Sequence, residues 1–186
     1  MQETGIVRRI DELGRVVIPK EMRKTLRIRE GDPLEIYTEK DNLVFKKYSP
    51  IISITDYAKI VADGIEDLTQ KTCIITDTDN VIYISKTKLK DCVGKTISND
   101  VVEVLNNRKS VILSRLDGGA IIPVCKDCLL TIENQIIVPI ISNGDCFGAV
   151  MLIDEDKSSR FNVSDLKIIQ LGAWFLSKQL GWFLSP

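Results

Sequence analysis

Histidine is missing from the sequence altogether, which removes the side chain most often used for acid–base work near neutral pH and the commonest nitrogen ligand of zinc. No glycine-rich loop runs into Lys-Ser/Thr, and no G-x-S-x-G is present, so neither a phosphate cradle nor a nucleophile elbow is encoded. Aromatic residues are few, too few to stack a run of unpaired bases, and single-stranded nucleic acid is therefore a poor partner. No stretch approaches the eighteen or so apolar residues of a membrane span, and Met1 to Gly5 lacks the charged lead into an apolar core that marks a secretion signal. The expected setting is the cytoplasm, with no membrane partner. Five cysteines (Cys73, Cys92, Cys125, Cys128, Cys146) are an odd number at irregular spacings, which fits a reducing compartment better than a disulfide framework. These absences exclude the commoner enzyme classes, and we expect a non-enzyme with no cofactor and no metal.

What is present is unevenly distributed. The net charge is only −1, yet residues 1–29 hold Arg8, Arg9, Arg15, Lys20, Arg23, Lys24, Arg27 and Arg29 against Glu3, Asp11, Glu12 and Glu21. The remainder beyond residue 50 leans acidic. A polyanion responds to a local patch rather than to average charge, so the amino end is the candidate nucleic-acid surface; solvated, functionless basic faces look the same by charge alone.

Along the chain, Gly5–Ile10 and Arg15–Ile18 read as two short strands around Asp11-Glu12-Leu13-Gly14. Pro19 fits the first turn of a short helix through Leu26, and Gly31-Asp32-Pro33 breaks it. Leu34–Thr38 and Leu43–Lys47 form a second predicted hairpin around Glu39-Lys40-Asp41-Asn42. This unit, under fifty residues long, has too little apolar surface to bury alone, so dimerisation is expected. After Tyr48-Ser49-Pro50, the apolar residues Ile54, Tyr57, Ala58, Val61, Ile65 and Leu68 recur at helical spacing. That helix suits either a core or an oligomer seam; its place between two units favours the seam.

From Thr72 the pattern becomes α+β. A hairpin is predicted over Cys73–Thr76 and Val81–Ile84, a helix capped by Ser98 runs to Asn107, and a strand covers Val111–Ser114. Gln135–Ser142 and Cys146–Ile153 flank Asn143-Gly144-Asp145, the strongest hairpin signal in the chain, and Val163–Leu180 closes as an amphipathic helix with Ser164 as its expected cap. The expected domains are 1–50, a linker helix 51–71, and 72–186.

The string Thr4-Gly5-Ile6-Val7-Arg8-Arg9-Ile10-Asp11-Glu12-Leu13-Gly14-Arg15-Val16-Val17-Ile18-Pro19-Lys20-Glu21-Met22-Arg23, continued by Gly31-Asp32-Pro33-Leu34-Glu35-Ile36, closely resembles the AbrB family of bacterial transition-state regulators. Val138-Pro139-Ile140, Gly144, Gly148 and the helix entry from Phe161 to Leu166 resemble a GAF domain more loosely. The two in this order and length are similar to sporulation regulators of endospore-forming bacteria. The resemblance implies a mixed fold: a dimeric swapped-hairpin β-barrel, in which two chains interleave their hairpins, joined by a helix to an α+β GAF-like domain. It also implies a regulator of sporulation genes that binds double-stranded DNA in a sequence-dependent way and carries in its GAF-like half a sensor of an unknown small molecule or an oligomerisation module; the apolar seam from Ile54 to Leu68 and the closing helix with Trp174, Phe175, Trp182 and Phe183 lead us to expect further self-association to a dimer of dimers.

For the DNA-contacting side chains the family pattern carries over onto Arg8, Arg15, Arg23 and Lys24; charge alone adds Arg9, Lys20 and Arg27. A guanidinium pairs bidentately with phosphate or a guanine edge, and lysine acts as a point charge. Two other functions stay open. One is a toxin-binding antitoxin, although such proteins usually end in a charged tail and Gly181-Trp182-Phe183-Leu184 is apolar. The other is a GAF-fold thiol reductase, for which Cys125-Lys126-Asp127-Cys128 is the only C-x-x-C. A zinc site there would have to recruit Cys73, Cys92, Cys146 or carboxylates from unrelated spacings; loop cysteines without a role, a redox pair and a metal-sensing pair all fit the spacing.

Overall fold

The computed structural model describes residues 5–128 and 130–184, and the side chains of Thr87, Lys88, Lys90 and Trp182 to Leu184 are outside the description, as is Thr4 of the amino-terminal motif. The chain forms two compact units, residues 1–48 and 49–186.

In the first unit, α1 (Lys20–Thr25) begins directly after Pro19, whose fixed φ of −56° suits a helix entry. The antiparallel hairpin β1 (Leu34–Glu39) and β2 (Asn42–Lys47) follows, with Glu39 facing Asn42 across the turn. Asp32 ties this unit together: its carboxylate accepts the Arg29 amide at 2.8 Å and pairs with Lys47 at 3.0 Å. The strands expected at Gly5–Ile10 and Arg15–Ile18 are not formed within the single chain; only their turn is closed, by Asp11 N–H donating to the Arg15 carbonyl at 3.1 Å and Gly14 N–H to the Asp11 carbonyl at 3.0 Å. Short arms with no third strand to lie against have nothing to repay the entropy of ordering. Apolar side chains stay uncovered as a result, including Val7, Leu13 and Val17, each more than 70% exposed.

The second unit is built on a five-stranded antiparallel sheet in the order β4-β3-β7-β6-β5, comprising β3 (Thr72–Thr76), β4 (Val81–Ile84), β5 (Val111–Ser114), β6 (Asn134–Ser142) and β7 (Asp145–Asp154). Both faces are covered, which is why the central strands read as unbroken apolar runs rather than alternating ones. On one face Cys73, Ile75, Ile136, Val138, Val150 and Leu152 meet α2 (Pro50–Ser53), α3 (Thr55–Thr69) and α5 (Val163–Leu184). On the other, Ile74, Ile137 and Met151 pack under α4 (Asn99–Asn107) and the loops around Cys92 and Val124.

Several sequence expectations are met here. Asn143 and Gly144 both take positive φ, 51° and 88°, the geometry that a two-residue hairpin turn between twisted strands requires. Ser98 caps α4, its hydroxyl accepting the Val101 amide at 3.1 Å. The cap of α5 differs from expectation: Asn162, not Ser164, accepts the Ser164 and Asp165 amides, at 2.7 and 3.0 Å, while Asp165 reaches back to the Asn162 amide at 2.9 Å. The helix expected as a linker and seam also differs. Ala58, Ala62 and Ile65 of α3, with Ile54 just ahead, are buried against Ile169, Ala173 and Leu176, so this side of the helix belongs to the core of the second unit, while Tyr57 and Leu68 of the same expected stripe stay exposed. The small residues permit close approach, and a Cβ on Gly172 would already touch Val61 and Ile65 at 3.0 Å.

Gln135 shows how the loops are held to the sheet. Fully buried, it accepts the Ile122 amide at 3.1 Å and donates to the Ile122 carbonyl at 3.0 Å, pinning the 120–125 strap by both of its backbone groups. Tyr83 of β4 donates to Asp63 of α3 at 2.9 Å; burial and that carboxylate push its phenol up to about 12. No helix among the described residues is long and apolar enough to cross a membrane.

Candidate nucleic-acid interface

The basic residues of the first unit sit on three pieces of backbone. Arg8 and Arg9 lie on the arm before the turn, Arg15 ends the turn, and Lys20, Arg23 and Lys24 belong to α1; all six are exposed. Lys20 and Lys24 are one helical turn apart, with Arg23 beside them, so the helix carries its positive charge along one side. Glu21 in the first turn and Arg23 with Lys24 in the last match the helix dipole, which stabilises a helix this short.

Arg27 stands apart from the other six. It is half-buried at φ 52°, just beyond the helix end, where its amide donates to the Lys24 carbonyl at 3.3 Å and Ile28 N–H donates to the Arg23 carbonyl at 2.8 Å. That is the paired closure of a helix C-terminus around a left-handed residue, a position where glycine is commonest. The Lys47 ammonium donates to the Arg27 carbonyl at 3.4 Å. Backbone duty of this kind was not legible from charge.

Arg15 is the most strongly positioned of the group, and the residue that positions it is Asp11. One carboxylate oxygen of Asp11 accepts the amides of Leu13 and Arg15 at 3.0 and 2.8 Å, and the other accepts Arg15 Nε at 2.7 Å. Gly14, at φ 74°, supplies the left-handed step that lets the chain fold back onto this carboxylate. The Arg15 backbone and side-chain hydrogen bonds hold the Asp11 carboxyl below its ordinary value. With Nε engaged, the two terminal nitrogens of the guanidinium remain to present a forked donor to an oxyanion. Among the described residues, Arg15 alone of the seven has a carboxylate partner. Sequence reasoning passed over Asp11, although an aspartate opening a turn is the signal that could have found it.

Beside these charges lies an apolar cavity of about 490 Å³, lined by Ile6, Val16, Val17, Met22, Leu43 and Phe45, with Arg8 among its borders. Cationic and unburied apolar groups thus share one small unit. The second unit carries its own exposed apolar residues on its covering helices, Tyr57, Ile60 and Leu68 of α3 and Leu171 and Trp174 of α5. It also has an open depression of about 380 Å³ between α4 and β5, bordered by Val104, Asn107, Lys109 and Val111.

Comparison with known proteins separates the same two parts. Residues 53–181 match the family described as stage V sporulation protein T C-terminal, transcription factor, and residues 7–53 match antidote-toxin recognition MazE, bacterial antitoxin. Stage V sporulation protein T of Bacillus subtilis (strain 168) is 40% identical over 181 residues, covering 97% of this chain and 99% of that protein. The transition state regulatory protein AbrB of the same organism is 47% identical over 66 residues, 36% of this chain and 69% of the relative. Among solved structures, the cyanobacteriochrome receptor PixJ aligns with a TM-score of 0.58 at 13% identity, over 73% of this chain and 99% of that one. The GAF-B domain of DevS from Mycobacterium smegmatis aligns with a TM-score of 0.53 at 13% identity, over 69% and 93%. At such identities these two likenesses establish a fold, the GAF fold of the second unit.

Proposed function

The chain belongs to the stage V sporulation protein T family, and from that premise we propose that its first unit, as an interleaved dimer, grips double-stranded DNA through Arg8, Arg9, Arg15, Lys20, Arg23 and Lys24. The chain is a DNA-binding transcription regulator of sporulation with a GAF-like domain. The observation that supports the contact assignment is the Asp11–Arg15 turn, which holds one guanidinium exposed, together with a helix whose exposed Lys20, Arg23 and Lys24 have no carboxylate partner among the described residues. Phosphate contacts from the helix and arms would set the register on the duplex, and forked arginines are the residues suited to reading a guanine edge. Arg27 ends α1 through its backbone, and its half-buried side chain stands as a seventh candidate beside these six.

Dimerisation by swapped hairpins is supported by the unpaired arms 5–10 and 15–18 and by the open apolar cavity they border. A second copy would supply both the strand partners and the cover. Further association to a dimer of dimers uses the uncovered outer residues of α3 and α5, and the GAF-like half either senses a small molecule or serves that assembly. As a transcription factor acting on DNA the protein works in the cytoplasm and needs no catalytic step. The antitoxin match stops at residue 53, whereas the regulator reading accounts for both units.

The test is fluorescence anisotropy of the full chain with labelled duplex and single-stranded oligonucleotides at moderate salt, with light scattering on the same samples. Duplex-selective binding by an oligomer is expected; absence of duplex binding, or a stable monomer at micromolar concentration, would overturn the proposal.

A further inference from the structure

The second unit gathers three of the five cysteines that the regulator reading does not use. The sulfurs of Cys125 and Cys128 lie against each other, and the Cys92 sulfur lies with theirs in a cluster in which all three are within 4.8 Å of one another. The spacing of the C-x-x-C alone left its further ligands to unrelated stretches of sequence; the fold supplies one of them, from 33 residues upstream.

A backbone framework brings the two loops together. Gly94 N–H donates to the Val81 carbonyl at 2.8 Å and Val81 N–H to the Lys95 carbonyl at 2.9 Å, which ties the Cys92 turn to the start of β4. Lys95 N–H closes that turn by donating to the Cys92 carbonyl at 3.1 Å, with Gly94 in the left-handed region at φ 80°. The strap is held on the other side, where Ile97 pairs with Cys125 in an antiparallel bridge and Ser98 N–H donates to the Val124 carbonyl at 2.9 Å. Lys95 Nζ then reaches across to the Asp127 carbonyl at 2.8 Å, inside the C-x-x-C turn. Cys92 and Cys125 are buried and Cys128 is half-buried, so the cluster has a dry floor and one side nearer the solvent.

We propose that, once reduced, Cys92, Cys125 and Cys128 form a three-thiolate site for a soft divalent cation, with zinc as the reference ion. Zinc–sulfur bonds of about 2.3 Å in a tetrahedron set the sulfurs about 3.8 Å apart, so the Cys92 sulfur has to approach by no more than about 1 Å, while the Cys125 and Cys128 sulfurs, in contact here, separate to that spacing. Where Cys125 and Cys128 have been oxidised to a disulfide, reopening it takes two electrons and two protons from a cellular dithiol, which is itself oxidised to a disulfide; metal binding then releases the thiol protons as the three sulfurs become thiolates. Three protein ligands leave the fourth position to water or an incoming thiol, the arrangement of an exchangeable site rather than a closed structural one. The Lys95 ammonium, fixed beside the C-x-x-C turn, offsets the charge left by three thiolates on one divalent ion. Oxidation and metal occupancy exclude each other, because the same two sulfurs cannot be both bonded together and ligated.

The test is anaerobic titration of the reduced, full-length protein with cobalt(II), whose thiolate charge-transfer absorption scales with the number of sulfur ligands, followed by displacement with zinc. Expected are saturation at one ion per chain, loss of about a third of the charge-transfer intensity and a roughly tenfold or greater loss of affinity in Cys92→Ser and in Cys128→Ser, and no change in Cys146→Ser. Protein oxidised beforehand should give no band. Circular dichroism on the variants confirms that they are folded, and the wild-type titration stands without them. A reduced chain that gives no charge-transfer band, a band that Cys92→Ser leaves intact, or a band that survives oxidation would overturn the site; the first result would leave a thiol pair without a metal.

Discussion

Leu43→Asp distinguishes the interleaved dimer from a self-sufficient single chain. Leu43 lines the apolar cavity of the first unit and keeps 57% of its surface exposed. On a stable monomer, aspartate at so exposed a position should alter stability by no more than about 0.5 kcal/mol. If a second copy covers the site, full burial of a leucine contributes about 1.5–3 kcal/mol, so covering the remaining exposed fraction is worth about 1–1.7 kcal/mol per chain and about 2–3.5 per dimer. Aspartate loses that and adds about 1–3 kcal/mol per chain for an unpaired polar group in an apolar seam. The total per dimer is about 4–9.5 kcal/mol, or roughly three to seven orders of magnitude in the dimer dissociation constant. Sedimentation over a range of concentrations reads the constant directly, and a thermal midpoint that rises with concentration in the wild type but not in the variant is a second signature. A Leu43→Asp protein that still sediments as the same oligomer with the same midpoint would refute the reasoning.

Three further outcomes follow from the same geometry. Gly148→Ala places a Cβ 1.9 Å from the Thr76 carbonyl oxygen, a backbone clash between β7 and β3, and should cost the second unit more than about 4 kcal/mol; a thermal scan followed by Trp174 fluorescence reads the loss. Asn162→Ala removes the cap of α5 and should cost about 1–2 kcal/mol in chemical denaturation, with Ser164→Ala costing clearly less. The Asp11 carboxyl is held below 3.8 by the turn, so the turn's extra stability is complete above the unfolded carboxylate value and disappears as pH falls through the lower folded value; the Leu13 and Arg15 amide resonances should titrate with a midpoint below 3.8 and lose that titration in Asp11→Asn.

How far the sequence could be read depended on how local each determinant is. The β6–β7 turn was legible because Asn143-Gly144 encodes its own backbone geometry, and the Ser98 cap because a serine ahead of an apolar helix satisfies an amide three residues on. The α3 stripe was not decided by periodicity: seam and core impose the same spacing, and only the packing partners Ile169, Ala173 and Leu176, more than a hundred residues away, distinguish them. Strands at 5–10 and 15–18 carry strand residues yet lack strand pairing in one chain, since pairing needs neighbours that the sequence of one copy does not place. Six of the seven basic residues read from the sequence lie exposed on the first unit and Arg27 is half-buried, its backbone closing the helix terminus; Asp11 was overlooked, because capping and side-chain orientation are properties of the folded turn. Cys92 was weighed only as a distant thiol, its meeting with Cys125 depending on a long-range bridge.

The most direct test of the central claim is the salt dependence of duplex DNA binding by Arg15→Ala and Arg23→Ala, with Lys157→Ala, exposed in the second unit, as control. Each phosphate contact contributes about 0.9 to the steepness of log K against log salt, and a dimer repeats every contact, so either variant should flatten the slope by about 1.8 while weakening all duplexes alike. A residue that reads a base edge instead should cost about 1–3 kcal/mol per contact and relax preference at one half-site position. Folded, oligomeric Arg15→Ala and Arg23→Ala proteins that bind duplex DNA with wild-type affinity and wild-type salt slope would contradict the assignment.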